Sequence, residues 1–184
     1  MRHSQILSRE RALFLVIDFQ QKLLAAIKES ESLLQNCVKL IRFAKIFGLP
    51  IIWTEQYPKG LGYTDDSVKS ELDHLKPVEK LSFSCFGEPG FVQLLSGYPT
   101  TQLIICGIET HICVEQTALD AIEAGYQTHV VSDACGSRKG SDHDLGLHKM
   151  AQAGAILTSA EMAMYEIITR SDAKEFREVL KIVK

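Results

Sequence analysis

Three residues of this chain pair reactive chemistry with positions where α/β proteins use it: Cys113, Asp18 and Lys80. Cys113 lies in Cys106-Gly-Ile-Glu-Thr-His-Ile-Cys-Val114, where an apolar run ends and a helical pattern begins. Gly107 permits a tight turn, which would set Cys113 in the first turn of the next helix. Free backbone N–H groups and the positive end of the helix dipole favour a thiolate there. An unperturbed thiol titrates near ~8.5, so a modest downward shift makes it nucleophilic at neutral pH. Asp18 directly follows the apolar run Ala12-Leu-Phe-Leu-Val-Ile17, at the carboxyl end of a central strand, the edge where parallel sheets bind ligands. Lys80 closes a short strand pattern and precedes Leu-Ser-Phe-Ser-Cys-Phe86. A sulfur nucleophile, a carboxylate to accept its proton and an ammonium to hold both anions are the parts of covalent acyl transfer. Each residue also has a plain structural reading: a small core cysteine, a helix N-cap, a solvated surface lysine. Position alone leaves both readings open, and His111, two residues before Cys113, is a further candidate base whose direction the sequence does not fix.

The elements that must position these residues follow from the hydrophobic periodicity. The chain has 184 residues, 46% apolar and 23% charged, the balance of a packed globular protein, and one domain is expected over residues 1–184. Short apolar runs at 12–17, 51–54, 77–80, 101–106, 127–132 and 155–158 read as strands. Between them, apolar residues at a 3.6-residue period predict helices over 33–47, stopped by Gly48 and Pro50, over 114–122, ended by Gly125, and over 142–153. A short helix is expected within the polar stretch 67–75 and a surface helix over 171–183. Strands alternating with helices predict a three-layer α/β/α sandwich around a six-stranded, mainly parallel sheet. In such a sheet Asp18, Lys80 and Cys113 come from neighbouring strand ends and converge on one crevice.

Composition narrows the partners. Twenty basic against 23 acidic side chains give a net charge of -3, so no basic footprint for nucleic acid is present and none is expected as partner. No run approaches the roughly 18 apolar residues of a membrane span, and the amino terminus lacks an apolar secretion signal, so a soluble cytoplasmic protein is expected. The cysteines, Cys37, Cys85, Cys106, Cys113 and Cys135, are odd in number, with no CxxC pair and no metal-ligand spacing, which suits a reducing compartment. Gly60-Leu-Gly62 is too short for a dinucleotide fingerprint, and no GxSxG elbow offers a serine nucleophile.

Four motifs in order, Val16-Ile-Asp-Phe-Gln20, Glu79-Lys-Leu-Ser-Phe-Ser-Cys-Phe86, Gly107-Ile-Glu-Thr-His-Ile-Cys-Val114 and Val131-Ser-Asp-Ala134, resemble the isochorismatase-like cysteine hydrolases, a family that includes nicotinamidases. The resemblance covers nearly the whole chain. It implies an Asp-Lys-Cys triad of Asp18, Lys80 and Cys113, a cis peptide between Ile108 and Glu109, and an oxyanion hole from the N–H groups of Glu109 and Cys113. Phe19, Gln20, Tyr57, Phe86 and His111 are the expected pocket residues. The implied substrate is a small molecule cleaved at an amide or other non-peptide C–N bond, and self-association into a homo-oligomer is expected. Nicotinamidases carry an Asp-x-His metal motif after the second strand, where this chain reads Thr54-Glu-Gln-Tyr-Pro58, so neither metal nor cofactor is expected. Two other classes remain open on sequence: a non-catalytic binding or scaffold protein of the same fold, and a redox-responsive thiol protein pairing Cys113 with Cys85 or Cys106.

Overall fold

The computed structural model describes residues 2–183. In chain order the elements are β1 (Ala12–Ile17), α1 (Gln21–Leu24), α2 (Ser30–Phe47), β2 (Ile51–Gln56), α3 (Pro58–Leu61), α4 (Asp66–Lys69) and β3 (Val78–Lys80). A 3-10 turn at Cys85–Gly87 leads to α5 (Pro89–Ser96) and β4 (Gln102–Ile108), and a π-helical turn at Thr110–Val114 leads to α6 (Glu115–Glu123). β5 (Gln127–Gly136), α7 (Gly140–Gln152), β6 (Ile156–Thr158), α8 (Ala160–Ile168) and α9 (Phe176–Val183) complete the chain. The six strands form one sheet in the order β3-β2-β1-β4-β5-β6, and every adjacent pair is parallel. The expected architecture is present, with an all-parallel sheet in place of a mainly parallel one.

Strand residues alternate between two apolar layers, as a period of two requires. Ala12, Phe14 and Val16 of β1, with Ile104 and Cys106 of β4, pack beneath α2 and α8. Leu13, Leu15 and Ile17, with Leu103 and Ile105, pack against Phe91 and Leu95 of α5, Ala118 and Ala121 of α6 and Met150 of α7. Burial on both faces explains why β1 and β4 read as unbroken apolar runs. Each fully buried Leu or Ile contributes roughly 1.5–3 kcal/mol relative to exposure.

Helix α2 ends as the sequence predicts, with Gly48 in the left-handed region at φ 63°. The polar stretch 55–76, expected to hold one short helix over 67–75, carries two: α4 at Asp66–Lys69, where that helix was expected to begin, and α3 at Pro58–Leu61 before it. Two helices were not expected at all. α5 begins with Pro89 at its first position, and α8 is capped by the Ser159 side chain, which accepts from the Met162 N–H at 3.2 Å. Among the described residues no helix is long and apolar enough to cross a membrane.

The order of strands reverses direction at β1 and β4: the chain leaves β1 for a helix of one layer and leaves β4 for a helix of the other. Such a switch point opens a crevice at the carboxyl ends of the two strands. Here β1 and β4 approach closely. A Cβ added to Gly107 would stand 2.5 Å from the Ile17 carbonyl oxygen and 2.6 Å from the Ile17 Cβ, so only glycine lets β4 finish beside the residue that precedes Asp18.

One polar side chain within the sheet ties stability to pH. His129 on β5 is fully buried, its Nδ1 has no partner among the described residues, and its Nε2 lies 3.3 Å from Gln127 Oε1. Burial, helped by the nearby Arg11 charge, lowers its pKa from 6.5 to about 4. The unfolded chain therefore binds the proton more readily, and stability falls as pH drops from about 6.5 towards 4. We expect His129→Leu to remove about 2 kcal/mol of the stability loss between pH 7 and pH 5. Urea unfolding of both proteins at the two pH values measures this; equal losses would show that His129 is not the titrating group.

Candidate active site

Asp18 stands one residue beyond β1, fully buried, with φ 55°, a left-handed conformation rarely adopted by a residue with a side chain. Its carboxylate is claimed from two neighbouring strands. Thr54 Oγ1, on β2, donates to Oδ1 at 2.6 Å, and Lys80 Nζ, at the end of β3, donates to Oδ2 at 2.7 Å. The parallel register sets this up, since Ile17 pairs with Thr54 and Gln56 with Lys80. Neither side chain of the Lys80–Asp18 pair has any solvent exposure.

Lys80 meets three further oxygens: Gln56 Oε1 at 2.7 Å, the Phe83 carbonyl at 3.1 Å and the Ser82 carbonyl at 3.3 Å. Burial works against its charge, but the Asp18 carboxylate outweighs that penalty, and its pKa is raised. Gln56 is itself held. Its Nε2 donates to the Leu81 carbonyl at 2.8 Å, its backbone N–H donates to Gln20 Oε1 at 2.7 Å, and its carbonyl accepts from Gln20 Nε2 at 2.9 Å. The ammonium thus sits in a cage whose walls are fixed by other hydrogen bonds.

Cys113 comes from the opposite strand, in the π-helical turn after β4. Only 5% of it is exposed, and the Asp18 carboxylate lies close enough to act on its thiol. Burial first, and then the Asp18 anion, push the thiol well above its ordinary pKa, with Lys80 opposing them. This corrects the expectation of a thiolate favoured by a helix start. At rest a neutral thiol lies near a carboxylate whose two oxygens accept from Thr54 and from the Lys80 ammonium. The structure therefore brings Asp18, Lys80 and Cys113 together.

The peptide bond between Ile108 and Glu109 is cis. The turn that follows is anchored by three successive residues to the loop after β5 and the start of α7. Glu109 Oε2 accepts from the Arg138 N–H at 3.0 Å, Thr110 Oγ1 lies 2.9 Å from His143 Nδ1, and His111 Nδ1 lies 2.9 Å from Ser137 Oγ. His111 has Asp142 on its other side, Nε2 to Oδ2 at 3.9 Å, so it is turned to β5 and α7 and is not a base hydrogen-bonded to the thiol.

The expected pocket residues divide. Tyr57, half exposed, lines a cleft of about 300 Å³ with Pro58, Lys59, Lys80, Leu81 and Glu88, so this cleft borders the Lys80–Asp18 pair. Phe19 is buried in the α2 layer, on the far side of the sheet from Cys113, and is core. The amide of Gln20 is consumed in bonds to Gln56 and to the Gly62 carbonyl. Phe86 packs edge-on against Phe91 at 5.3 Å between centroids. Thr54 and Gln56, which the sequence did not single out, complete the first contacts of the carboxylate and the ammonium; two polar residues closing the apolar strand β2 were the available signal. Of the other cysteines, Cys106 faces the α2 layer, its sulfur 3.9 Å from that of Cys37, so a Cys113–Cys106 pair is ruled out across the sheet. Cys85 lies in the same layer as Cys113, with its thiol pushed up to about 12 by burial and then by Asp18.

Removing the ammonium would strand the Asp18 charge in a dry site. Lys80→Met is expected to cost about 3–5 kcal/mol, and the double variant Lys80→Met/Asp18→Asn to regain a large part of it. Chemical denaturation of both variants checks this; a single variant as stable as wild type would mean the pair is not a buried ion pair.

The isochorismatase domain model matches residues 12–162. Isochorismatase domain-containing protein 2 of Xenopus laevis is 37% identical over 95% of this chain and 84% of its own. A solved structure described as the MAR1 ribonuclease of Caenorhabditis elegans is 36% identical, covers 96% of this chain and 91% of its own, and superimposes with a TM-score of 0.90. The YcaC gene product of Escherichia coli, described as an octameric hydrolase of unknown specificity, is 26% identical over 100% of this chain and 89% of its own, with a TM-score of 0.89. With its domain match, its relatives and its all-parallel fold in agreement, the chain belongs to the isochorismatase family.

Proposed function

We propose that the protein is a cysteine hydrolase that cleaves a small molecule at an amide or other non-peptide C–N bond through a thioester. The observation that carries this reading is the Asp18 carboxylate held between the Lys80 ammonium and the Cys113 thiol. A buried thiol with a raised pKa is not a standing nucleophile, so its proton has to leave as the sulfur attacks. Asp18, whose charge bears on the thiol, is the group placed to take it. In the first half-reaction the Cys113 sulfur bonds to the carbonyl carbon while its proton passes to Asp18. The proton then goes to the departing amine as the C–N bond breaks, leaving an acyl thioester. In the second half-reaction Asp18 takes a proton from water, the hydroxyl oxygen bonds to the acyl carbon, and the sulfur leaves with the proton returned to it. Lys80 keeps Asp18 ionised in a dry site and limits the cost of the second anion that forms on sulfur. The N–H groups of Glu109 and Cys113, on the cis-peptide turn, are the proposed donors to the oxyanion.

Self-association belongs to the same reading, since the Escherichia coli neighbour is described as an octamer. Light scattering on the purified chain reads it directly; a monomer at all concentrations would remove that part.

Cys113→Ala and wild type are to be compared on a panel of small amides, vinyl ethers and, because one neighbour is described as a ribonuclease, an oligoribonucleotide. Turnover of an amide lost in the variant, with an acyl adduct on wild type by intact mass, is the expected result. Undiminished turnover in the variant disposes of the nucleophile, and cleavage confined to RNA disposes of the substrate class. Asp18→Asn separates the roles further. It removes the anion that raises the thiol pKa, so the thiolate absorbance near ~240 nm should appear at lower pH, while turnover falls by about 10²–10⁴-fold for want of the base. A thiol titration that stays put or moves upward would show that Asp18 does not hold the proton in place.

A further inference from the structure

A cavity of about 320 Å³ opens at the carboxyl end of β5, and none of Asp18, Lys80 or Cys113 lines it. Its wall is apolar where Ile27 and Leu33 face it, and Leu33 comes so close to Gly136 that a Cβ there would stand 2.2 Å from the Leu33 Cδ1. Its polar lining is cationic in excess: Lys28 and Arg138 against Glu29, with the imidazole of His143. Lys28 makes no ion pair among the described residues. Arg138 is engaged through its backbone N–H and through Nε at 3.5 Å from Glu109 Oε2, which leaves its terminal guanidinium nitrogens for another acceptor. His143 uses Nδ1 on Thr110, and its Nε2 has no protein partner among the described residues.

We propose that this cavity is a binding site for a small carboxylate with an apolar body, such as an aryl or short alkyl acid. The apolar wall takes the body, and Arg138 and Lys28 take the carboxylate, for which a guanidinium fork is the matched donor. The site also touches the nucleophile turn. The loop after β5 supplies Ser137 and Arg138 and the first turn of α7 supplies His143, and these are the partners of His111, Glu109 and Thr110 on the turn that carries Cys113. A carboxylate that draws the Arg138 guanidinium from Glu109 changes the hold on that turn. Binding is thereby coupled to the thiol site without sharing its residues.

The inference stands apart from the hydrolase reading, and the test keeps them apart by using both wild type and Cys113→Ala. Calorimetry and amide NMR titrations are run with benzoate, and with benzamide as its neutral isostere. Benzoate is expected to bind both proteins equally, with shifts at residues 109–111 and 136–143. Arg138→Gln, an exposed change that keeps the backbone N–H on Glu109, is expected to weaken it about tenfold, Arg138→Lys less, and benzamide to bind at least about tenfold more weakly. Lys28→Gln is a second, independent variant should Arg138→Gln lower the melting temperature. No benzoate binding, equal binding of benzamide, or binding unaffected by both charge-removing variants would overturn the proposal. Where an amide substrate is found, competitive inhibition by benzoate assigns the carboxylate to substrate or product, and non-competitive inhibition assigns it to a separate acid.

Discussion

The site depends on one contact, a lysine ammonium against an aspartate carboxylate with water excluded from both. Neither charge is tolerable there alone, because desolvating either ion costs several kcal/mol. The surroundings are arranged around that fact. Thr54 satisfies the second oxygen of the carboxylate, and Gln56 with two backbone carbonyls receives the protons of the ammonium that Asp18 does not use. The pair also joins strands that are not neighbours in the sheet, since β2 lies between β1 and β3. A charge pair spanning three strands fixes the level at which each of them ends.

The thiol enters this arrangement from the fourth strand. Its neutrality at rest follows first from burial and then from where the carboxylate already is: a second anion beside Asp18 is disfavoured more than Lys80 favours it. In the proposed mechanism reactivity therefore belongs to the assembly of three groups, and the helix start supplies placement more than acidity. Cys85 feels the same field from the same layer and is held neutral for the same reasons.

Much of this was legible in the letters. An apolar run that stops at Asp18 can only be a strand buried on both faces, and the structure ends β1 at Ile17. The spacing of Leu40, Ile41, Ala44 and Phe47 gave the face of α2, and Gly48 gave its end. α8 was missed although its signal was present, with Ser159 as its cap and Ala160, Ala163, Met164, Ile167 and Ile168 buried along one stripe. α5 was harder, because it is short and opens on Pro-Gly, which also begins turns. What periodicity could not supply was the environment of the thiol. That environment is set by residues from β1, β2 and β3, and a shift of acidity depends on distances between elements far apart in sequence. Aromatic residues within the motifs misled for a related reason: Phe19 follows the end of β1 and Phe86 lies in the 3-10 turn after β3, and each turns into one of the two cores.

The zero exposure of the Lys80–Asp18 pair has a further consequence for how the protein meets its medium. Mobile ions screen charges across water, over roughly 8 Å at physiological ionic strength, and have no path between two groups sealed in the interior. Added salt should erode exposed pairs such as Arg170–Asp172 while leaving the central pair at full strength. The chemistry is in this sense insulated: brine and fresh buffer present the same interior.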